Sequence, residues 1–456
     1  MAGKDAVRLK SGAGRWIVFT TVLGSGIAML DGTVVNVALR VLGTDLDADV
    51  AGLQWTVNAY TLTLAGLILL GGSLGDRYGR RKIFLFGVIW FAVASALCGI
   101  APNIETLILA RALQGVGGAL LTPGSLAIIQ SSFAREDRPR AIGLWSGLGG
   151  TAAAIGPLLG GWIVEAAGWR WVFLINLPLA ALVVAVAMRH VPESRDESAS
   201  GDFDLLGSAL AALALTGITY GLIEALNLPL LAGFALLAAF VLVERSRRNP
   251  LIPVDIFTSR TFTAVNVVTL FMYAAMGAVF FLLVLQLQVV AGFSPIAAGS
   301  AMLPVTALML LLSPRAGELA RRIGPKIPMT AGIVLCGAGF LMMSGIGAGT
   351  GYLTGVLPAA TVFGLGLSAA VAPLTATVLA SAAERHAGIA SGINNAVART
   401  GSLLAVAAIP PIVGLTGAAY DNPAALSAGF QTAMVICAAM MAVSALISLV
   451  AVQIRL

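Results

Sequence analysis

The chain has 456 residues, of which 58% are hydrophobic and only 11% charged, with 53 glycines and a net charge of +6. Soluble domains carry about a quarter charged residues, so this composition excludes an ordinary soluble enzyme, and its hydrophobicity excludes a disordered chain. The basic excess does not point to nucleic acid, because Lys and Arg fall in short clusters between apolar runs, as in the loops of a membrane protein.

A membrane helix needs about 20 mostly apolar residues. That ruler predicts fourteen spans, at about 16–39, 54–73, 83–101, 105–130, 141–165, 171–189, 205–225, 229–244, 263–289, 296–314, 328–346, 353–380, 388–413 and 428–452. The first lacks a small-residue cleavage site and reads as a retained helix. Span four holds Pro123 and span twelve holds Pro358 and Pro373, so both are expected to bend. Cys98, Cys336 and Cys437 each lie inside an apolar run and read as small buried hydrophobes.

The fold class is therefore all-α integral membrane. The two longest connections, about 189–204 and 245–262, set spans seven and eight apart between two groups of six. The division expected is an N-terminal six-helix bundle over 1–189, two inserted linker helices with flanking loops over 190–262, and a C-terminal six-helix bundle over 263–456. The acidic 193–204 stretch reads as a solvated linker, with a partner-docking segment the alternative.

Of the 27 basic residues, 23 fall on one side of this arrangement; Arg40 and Arg170 fall on the other, and Arg111 and Arg399 lie within spans. The positive-inside tendency makes the rich side cytoplasmic and places both termini there, in a multi-pass protein of the cell (inner) membrane.

The stretch after span two reads Gly72-Ser-Leu-Gly-Asp76-Arg77-Tyr-Gly79-Arg80-Arg-Lys82, and a degenerate echo, Gly317 to Lys326, follows span ten at an offset of 245 positions. Repeated halves around a central site are the construction of many secondary transporters. In the first copy, read as a loop, Gly79 allows a tight turn and Asp76 can pair with Arg77 or Arg80, a cluster able to latch helix ends in one state. Arg321 stands in the second copy where the first has Asp76. Simple topology-setting by these Arg is the plainer alternative.

Asp31 lies about 15 residues past Trp16, roughly 22 Å along span one, and Arg111 sits at a similar depth in span four. An intramembrane acid suggests an ion or proton pathway, since taking a carboxyl out of water favours its neutral form. The matched depth suggests that the two interact, and protonating Asp31 would then release the pair; a purely structural contact for either is the alternative. In span five, Gly156, Pro157, Gly160 and Gly161 read as a hinge or seal, or as plain close packing.

These motifs together resemble the major facilitator superfamily, and fourteen spans with Trp169-Arg-Trp-Val-Phe-Leu-Ile-Asn-Leu-Pro178 opening span six look like its drug/proton antiporter branch. The resemblance covers nearly the whole chain. It implies two six-helix bundles around a cavity, alternating access, and efflux driven by proton entry. It associates Asp31 and Arg111 with proton coupling and Asp76 with stabilising the outward-open state; Arg321 departs from the pattern and weakens any second latch.

Glu224, at the outer end of span seven, reads as a solvated interfacial acid or a second proton site. Arg399, near the midplane of span thirteen, either faces a cavity or pairs internally. Asn394 and Asn395 beside it, with Asn36, Gln114, Met272, Tyr273 and Met276, are candidate cavity residues, although Met and aromatic residues at this spacing also serve packing. Gln286 and Gln288 fit either a cavity or the outer interface.

No HExxH and no GxxxxGK[ST] occurs, so a metal-dependent enzyme and a primary ATP-driven pump are not indicated. The expectation is a non-enzymatic antiporter, without cofactor or metal, exporting lipophilic or cationic small molecules against protons, working as a monomer in the lipid bilayer with no nucleic-acid partner. Export of a specific metabolite or lipid by the same machinery is the alternative.

Overall fold

A computed structural model describes residues 7–134, 136–195, 204–247, 254–381 and 387–452. The acidic stretch beyond residue 195 and the linker prolines Pro250 and Pro253 lie outside them. Among the described residues sixteen α-helices follow one another: α1 Gly12–Asp45, α2 Val50–Tyr78, α3 Arg80–Gly99, α4 Ile104–Ser132, α5 Arg138–Ala167, α6 Arg170–Leu174, α7 Asn176–His190, α8 Leu205–Ile223, α9 Asn227–Ser246, α10 Arg260–Leu285, α11 Pro295–Ser300, α12 Leu303–Ile323, α13 Lys326–Met343, α14 Leu357–Ala380, α15 Ala387–Ile412 and α16 Pro423–Ala451. Among the described residues the one strand-like pairing is a bridge between Val7 and Phe133.

Helix starts follow local chemistry. Ser11, Asp49, Asn103, Asp204 and Ser259 each accept a hydrogen bond from a first-turn amide of the helix they open, satisfying donors that have no partner within the helix. α6 with α7 and α11 with α12 each make one span. Thirteen spans are long and apolar enough to cross a membrane. α15 is the fourteenth, its hydropathy diluted by Asn394, Asn395, Arg399, Pro410 and Pro411. Exposed Trp162, Trp171, Leu228 and Leu242 would be a liability in water and are expected of a surface facing lipid.

The fold is thus an all-α, fourteen-span body of two six-helix bundles plus two inserted helices. α8 and α9 pair with each other, and α8 leans on α2 and α15. The start of α1, the end of α16 and the basic clusters of the described residues share one face, here the basic face; the opposite one is the far face.

Two expectations need correction. The Gly72–Lys82 stretch is not a loop, because α2 continues through Asp76 and Arg77 to Tyr78, and only Gly79, at φ +113°, turns the chain into α3. Its echo behaves alike: α12 runs to Ile323, and Gly324, at φ +84°, makes the break. Gly79 and Gly324 are themselves 245 positions apart, so the repeat is kept at the residue whose backbone region only glycine enters cheaply. Pro358 sits in the first turn of α14 rather than mid-helix, where its missing N–H costs nothing.

The bundles join at the far face. Val50 N donates to Gly417 O at 2.9 Å, and Tyr420 Oη donates to Ala48 O at 2.5 Å. Gln54 Nε2 donates to Val406 O at 2.7 Å, Gln288 Nε2 to Val37 O at 2.9 Å, and Ile296 N to a Glu165 carboxylate oxygen at 2.8 Å. Arg40 bonds the Gln288 carbonyl. Among the described residues, the hydrogen bonds passing directly between the two six-helix groups all lie here, so this is a state closed at the far face. Gln288 therefore belongs to the seal.

Candidate functional site

Five helices converge on one buried polar cluster. Asp31 of α1 and Arg111 of α4 are 0% and 1% exposed, and Arg111 Nη1 lies 2.5 Å from Asp31 Oδ2. Gln114, one turn further along α4, donates from Nε2 to Asp31 Oδ1 at 2.8 Å and to Ser95 Oγ of α3 at 2.7 Å. Asn176, the first residue of α7, donates to Asp31 Oδ1 at 3.0 Å and to Ser95 Oγ at 3.2 Å. The carboxylate thus receives three donors.

Arg111 is equally enclosed. Its Nε donates to Thr56 O of α2 at 3.0 Å and its Nη1 to Gln114 Oε1 at 2.5 Å. The guanidinium lies over the Tyr60 ring at 4.4 Å and near the Phe173 ring at 5.7 Å, where the negative ring faces attract it. Tyr60 in turn donates its hydroxyl to Ala28 O at 3.0 Å. A buried ion pair persists only when its charges keep further hydrogen bonds, and here both carboxylate oxygens and the guanidinium Nε and Nη1 are partnered.

The motif around Gly79 forms a second cluster on the basic face. Asp76 pairs with Arg80, one turn on, at 2.7 Å, and Arg77 lies over the Tyr78 ring at 5.9 Å. The start of the linker, read as solvated, folds back here: Glu193 accepts from the backbone amides of Arg81 and Lys82 at 3.0 and 3.1 Å, and Arg80 N donates to Ser194 O at 2.8 Å. Glu193 thereby caps α3 from a distant part of the chain. We expect Glu193→Ala to cost about 1 kcal/mol, as lost caps do, and Asp76→Asn less than about 1 kcal/mol, because the Asp76–Arg80 pair is only half-buried and water still screens it. Thermal unfolding of the purified protein measures both, and the reverse order would discount the cap.

A match to the Major Facilitator Superfamily family model spans residues 21–406. The chain belongs to the Major Facilitator Superfamily. It is 34% identical over 387 residues to the tetracenomycin C resistance and export protein of Streptomyces glaucescens, covering 82% of this chain and 71% of that protein. It is likewise 34% identical over 392 residues to the multidrug resistance protein Stp of Mycobacterium tuberculosis, covering 83% and 72%. A bacterial homologue of the human lysosomal transporter Spinster, solved inward-facing and unoccupied, shares the fold with a TM-score of 0.67 at 17% identity, over 97% of this chain and 98% of that one. Fourteen spans and drug-resistance relatives place this superfamily member in the fourteen-helix drug/proton antiporter branch.

Within this superfamily fold the other candidate residues separate. Glu224 is exposed at the end of α8 and accepts from Trp55 Nε1 at 2.9 Å, apart from the Asp31 cluster. Gln114 and Met272, considered for a cavity wall, have no exposed surface: the first is consumed by the polar cluster and the second by the core of the C-terminal bundle. Tyr273 and Met276 are half-buried on α10. Asn394 donates to Asn266 Oδ1 and Thr269 Oγ1 of α10 at 3.1 and 2.8 Å, whereas Asn395 is exposed and accepts from Arg399 Nε at 3.0 Å. Asn36 is half-buried, with its Oδ1 unpartnered among the described residues.

Gly156 and Gly160 press α5 onto Thr33 and Val34 of α1. Pro157 and Gly161 face the other bundle, against Gly299 and Pro295. An open cavity of about 500 Å³ lies at the basic-face end of the C-terminal bundle, lined by Arg260, Gly317, Arg321, Pro373 and Thr377 among others; none of the candidate cavity residues lines it.

Sequence reasoning missed Ser95, Asn176, Thr56 and Tyr60. Asn176 carried a signal, as the sole polar side chain between Arg170 and Pro178 in the segment that suggested the branch. Ser95 carried none, and Thr56 contributes only its backbone carbonyl.

Proposed function

We propose that this protein is a proton-coupled antiporter that exports lipophilic or cationic small molecules by alternating access, the activity of a multidrug efflux pump. The observation that carries the reading is the Asp31–Arg111 pair, which joins α1 to α4, fully buried yet hydrogen-bonded to α2 and α7 and, through Gln114, to α3. Protonating Asp31 removes the attraction to Arg111, while Gln114 Oε1, Thr56 O and the Tyr60 ring still hold the cation. α1 then loosens from α4, and α1 also carries the Gly156 and Gly160 contacts to α5. The proton step and the movement of the bundle thus share one helix. Protons and a small-molecule substrate are the partners, and the protein acts as a monomer in the cell (inner) membrane with both termini cytoplasmic, the side its basic clusters select.

The deciding experiment is transport in proteoliposomes under an imposed pH gradient. Asp31→Asn is expected to reduce gradient-driven dye efflux to the level of protein-free liposomes while dye binding persists. Equal efflux by wild type and variant would end the coupling role of Asp31. A second reading, export of one specific metabolite or lipid, is favoured by the relative named for tetracenomycin C export; efflux restricted to one compound class across a dye and drug panel would select it.

A further inference from the structure

Arg399 is a cation with few partners at a depth where cations are rare. It lies roughly twelve residues, or about 18 Å, into α15, where an ionisable side chain marks a functional site by default. A guanidinium has five N–H donors, and among the described residues one is used, Nε to Asn395 Oδ1 at 3.0 Å. No ion pair with an acid is found for it among those residues.

Its surroundings place it between the bundles. Its helix, α15, packs against α2 of one bundle and α10 of the other. Around α15, Asn394 and Gly401 meet α10, and Gly392 meets Leu69 of α2. Residues 392, 395 and 399 share one helical face, so Arg399 and Asn395 lie on the side of α15 between its contacts with α2 and α10.

A second unfilled polar group lies nearby. Asn58 sits one turn from Gln54 on the stripe of α2 that faces α15, is 0% exposed, and has neither amide atom hydrogen-bonded among the described residues. A buried amide without partners is costly, and it gains them when α2 and α15 part.

We infer that Arg399, with Asn395 and Asn58, forms an acceptor-binding subsite for lipophilic substrates that carry an acidic oxygen group, a carboxylate or an ionised phenol. The planar fork of an arginine fits two such oxygens side by side, and a lysine does not reproduce it. Tyr273, half-buried on the neighbouring α10, supplies aromatic surface for the apolar body. The inference rests on the exporter reading and narrows the substrates of the same site; cationic substrates use other parts of it.

The test is equilibrium binding by fluorescence polarisation, with the purified full chain and no pH gradient, of two dyes on one xanthene scaffold: fluorescein, an anion, and rhodamine 123, a cation. Arg399→Gln is expected to weaken fluorescein about tenfold or more and to leave rhodamine 123 within about twofold. Arg399→Lys should fall between, keeping charge but losing the fork, and carries the test alone if the glutamine variant does not fold. Equal weakening of both dyes, unchanged fluorescein binding, or no fluorescein binding by the wild type would overturn the subsite. Because no gradient is applied, that failure leaves proton-driven efflux untouched, and a failure of Asp31-dependent transport leaves the dye comparison readable.

Discussion

Arg111→Leu destabilises the folded protein by about 3–5 kcal/mol, the usual loss when one partner of a buried ion pair is removed. The leucine fills much of the volume between Tyr60 and Phe173, so the effect is one of charge. Asp31 is left 0% exposed with Gln114 and Asn176 as its remaining donors, neither of them charged. Gln114 Oε1 loses its 2.5 Å donor at the same time. Asp31→Asn alone costs less, because Arg111 keeps Thr56 O, Gln114 Oε1 and the Tyr60 ring.

The double variant Asp31→Asn with Arg111→Leu separates charge from packing. Its new amide can donate to Gln114 Oε1, which Arg111→Leu leaves with only the Cys98 thiol at 3.7 Å, and still accept from Asn176, so it should recover more than half of the loss. Residues in one network commonly couple by about 0.5–3 kcal/mol. Unfolding of the four proteins in one detergent gives the cycle. A double variant as unstable as Arg111→Leu would mean that the guanidinium matters for its packing on the rings.

The spans were legible because lipid imposes a length and a composition on every crossing helix. Depth was legible too: counting residues from the interface placed Asp31 level with Arg111, and they meet. Rotational position was not, since counting along a helix does not say which neighbour a residue faces. Arg111 and Gln114 are one turn apart and were assigned to different roles, yet both point into the same cluster. Contacts that end on backbone carbonyls were invisible for another reason. Thr56, Ala48, Val37 and Val406 accept the bonds that hold Arg111 and the far face, and a carbonyl has no residue-type signature.

The basic face taught the opposite lesson. Its glycines and charges suggested a loop, whereas packing of Gly71 and Gly72 on α4 outweighs their poor helix propensity, carries α2 to Tyr78 and leaves the turn to Gly79 alone. Glu193 lies among several acids of a linker, and nothing in the sequence marks it as the one that caps α3. The cap places the end of the first bundle's chain on the helix start that follows Asp76. Any movement of α3 relative to α2 must therefore carry the linker with it.

Valine at Gly299 shifts the protein away from the state closed at the far face. The Cβ position of Gly299 overlaps the Pro157 carbonyl, and that of Gly161 would lie 2.5 Å from Pro295 O and 2.6 Å from Ile296 Cα. These are backbone atoms of the opposing bundle and cannot swing aside as a side chain would. The overlap exists only while α5 and α11 touch, so its energy appears as a change in the balance of states. Overpacking typically costs about 1–3 kcal/mol, which at 1.4 kcal/mol per tenfold moves that balance about 5- to 150-fold. A single cysteine at Asn36, in a background without Cys98, Cys336 and Cys437, reports the change through labelling by a charged maleimide added from the far face. Gly150→Val is the control, since a Cβ there meets nothing within 4 Å although it lies on α5, the helix that Gly299 presses against. Labelling of Gly299→Val no faster than of Gly150→Val would show that α5 and α11 do not gate the far face.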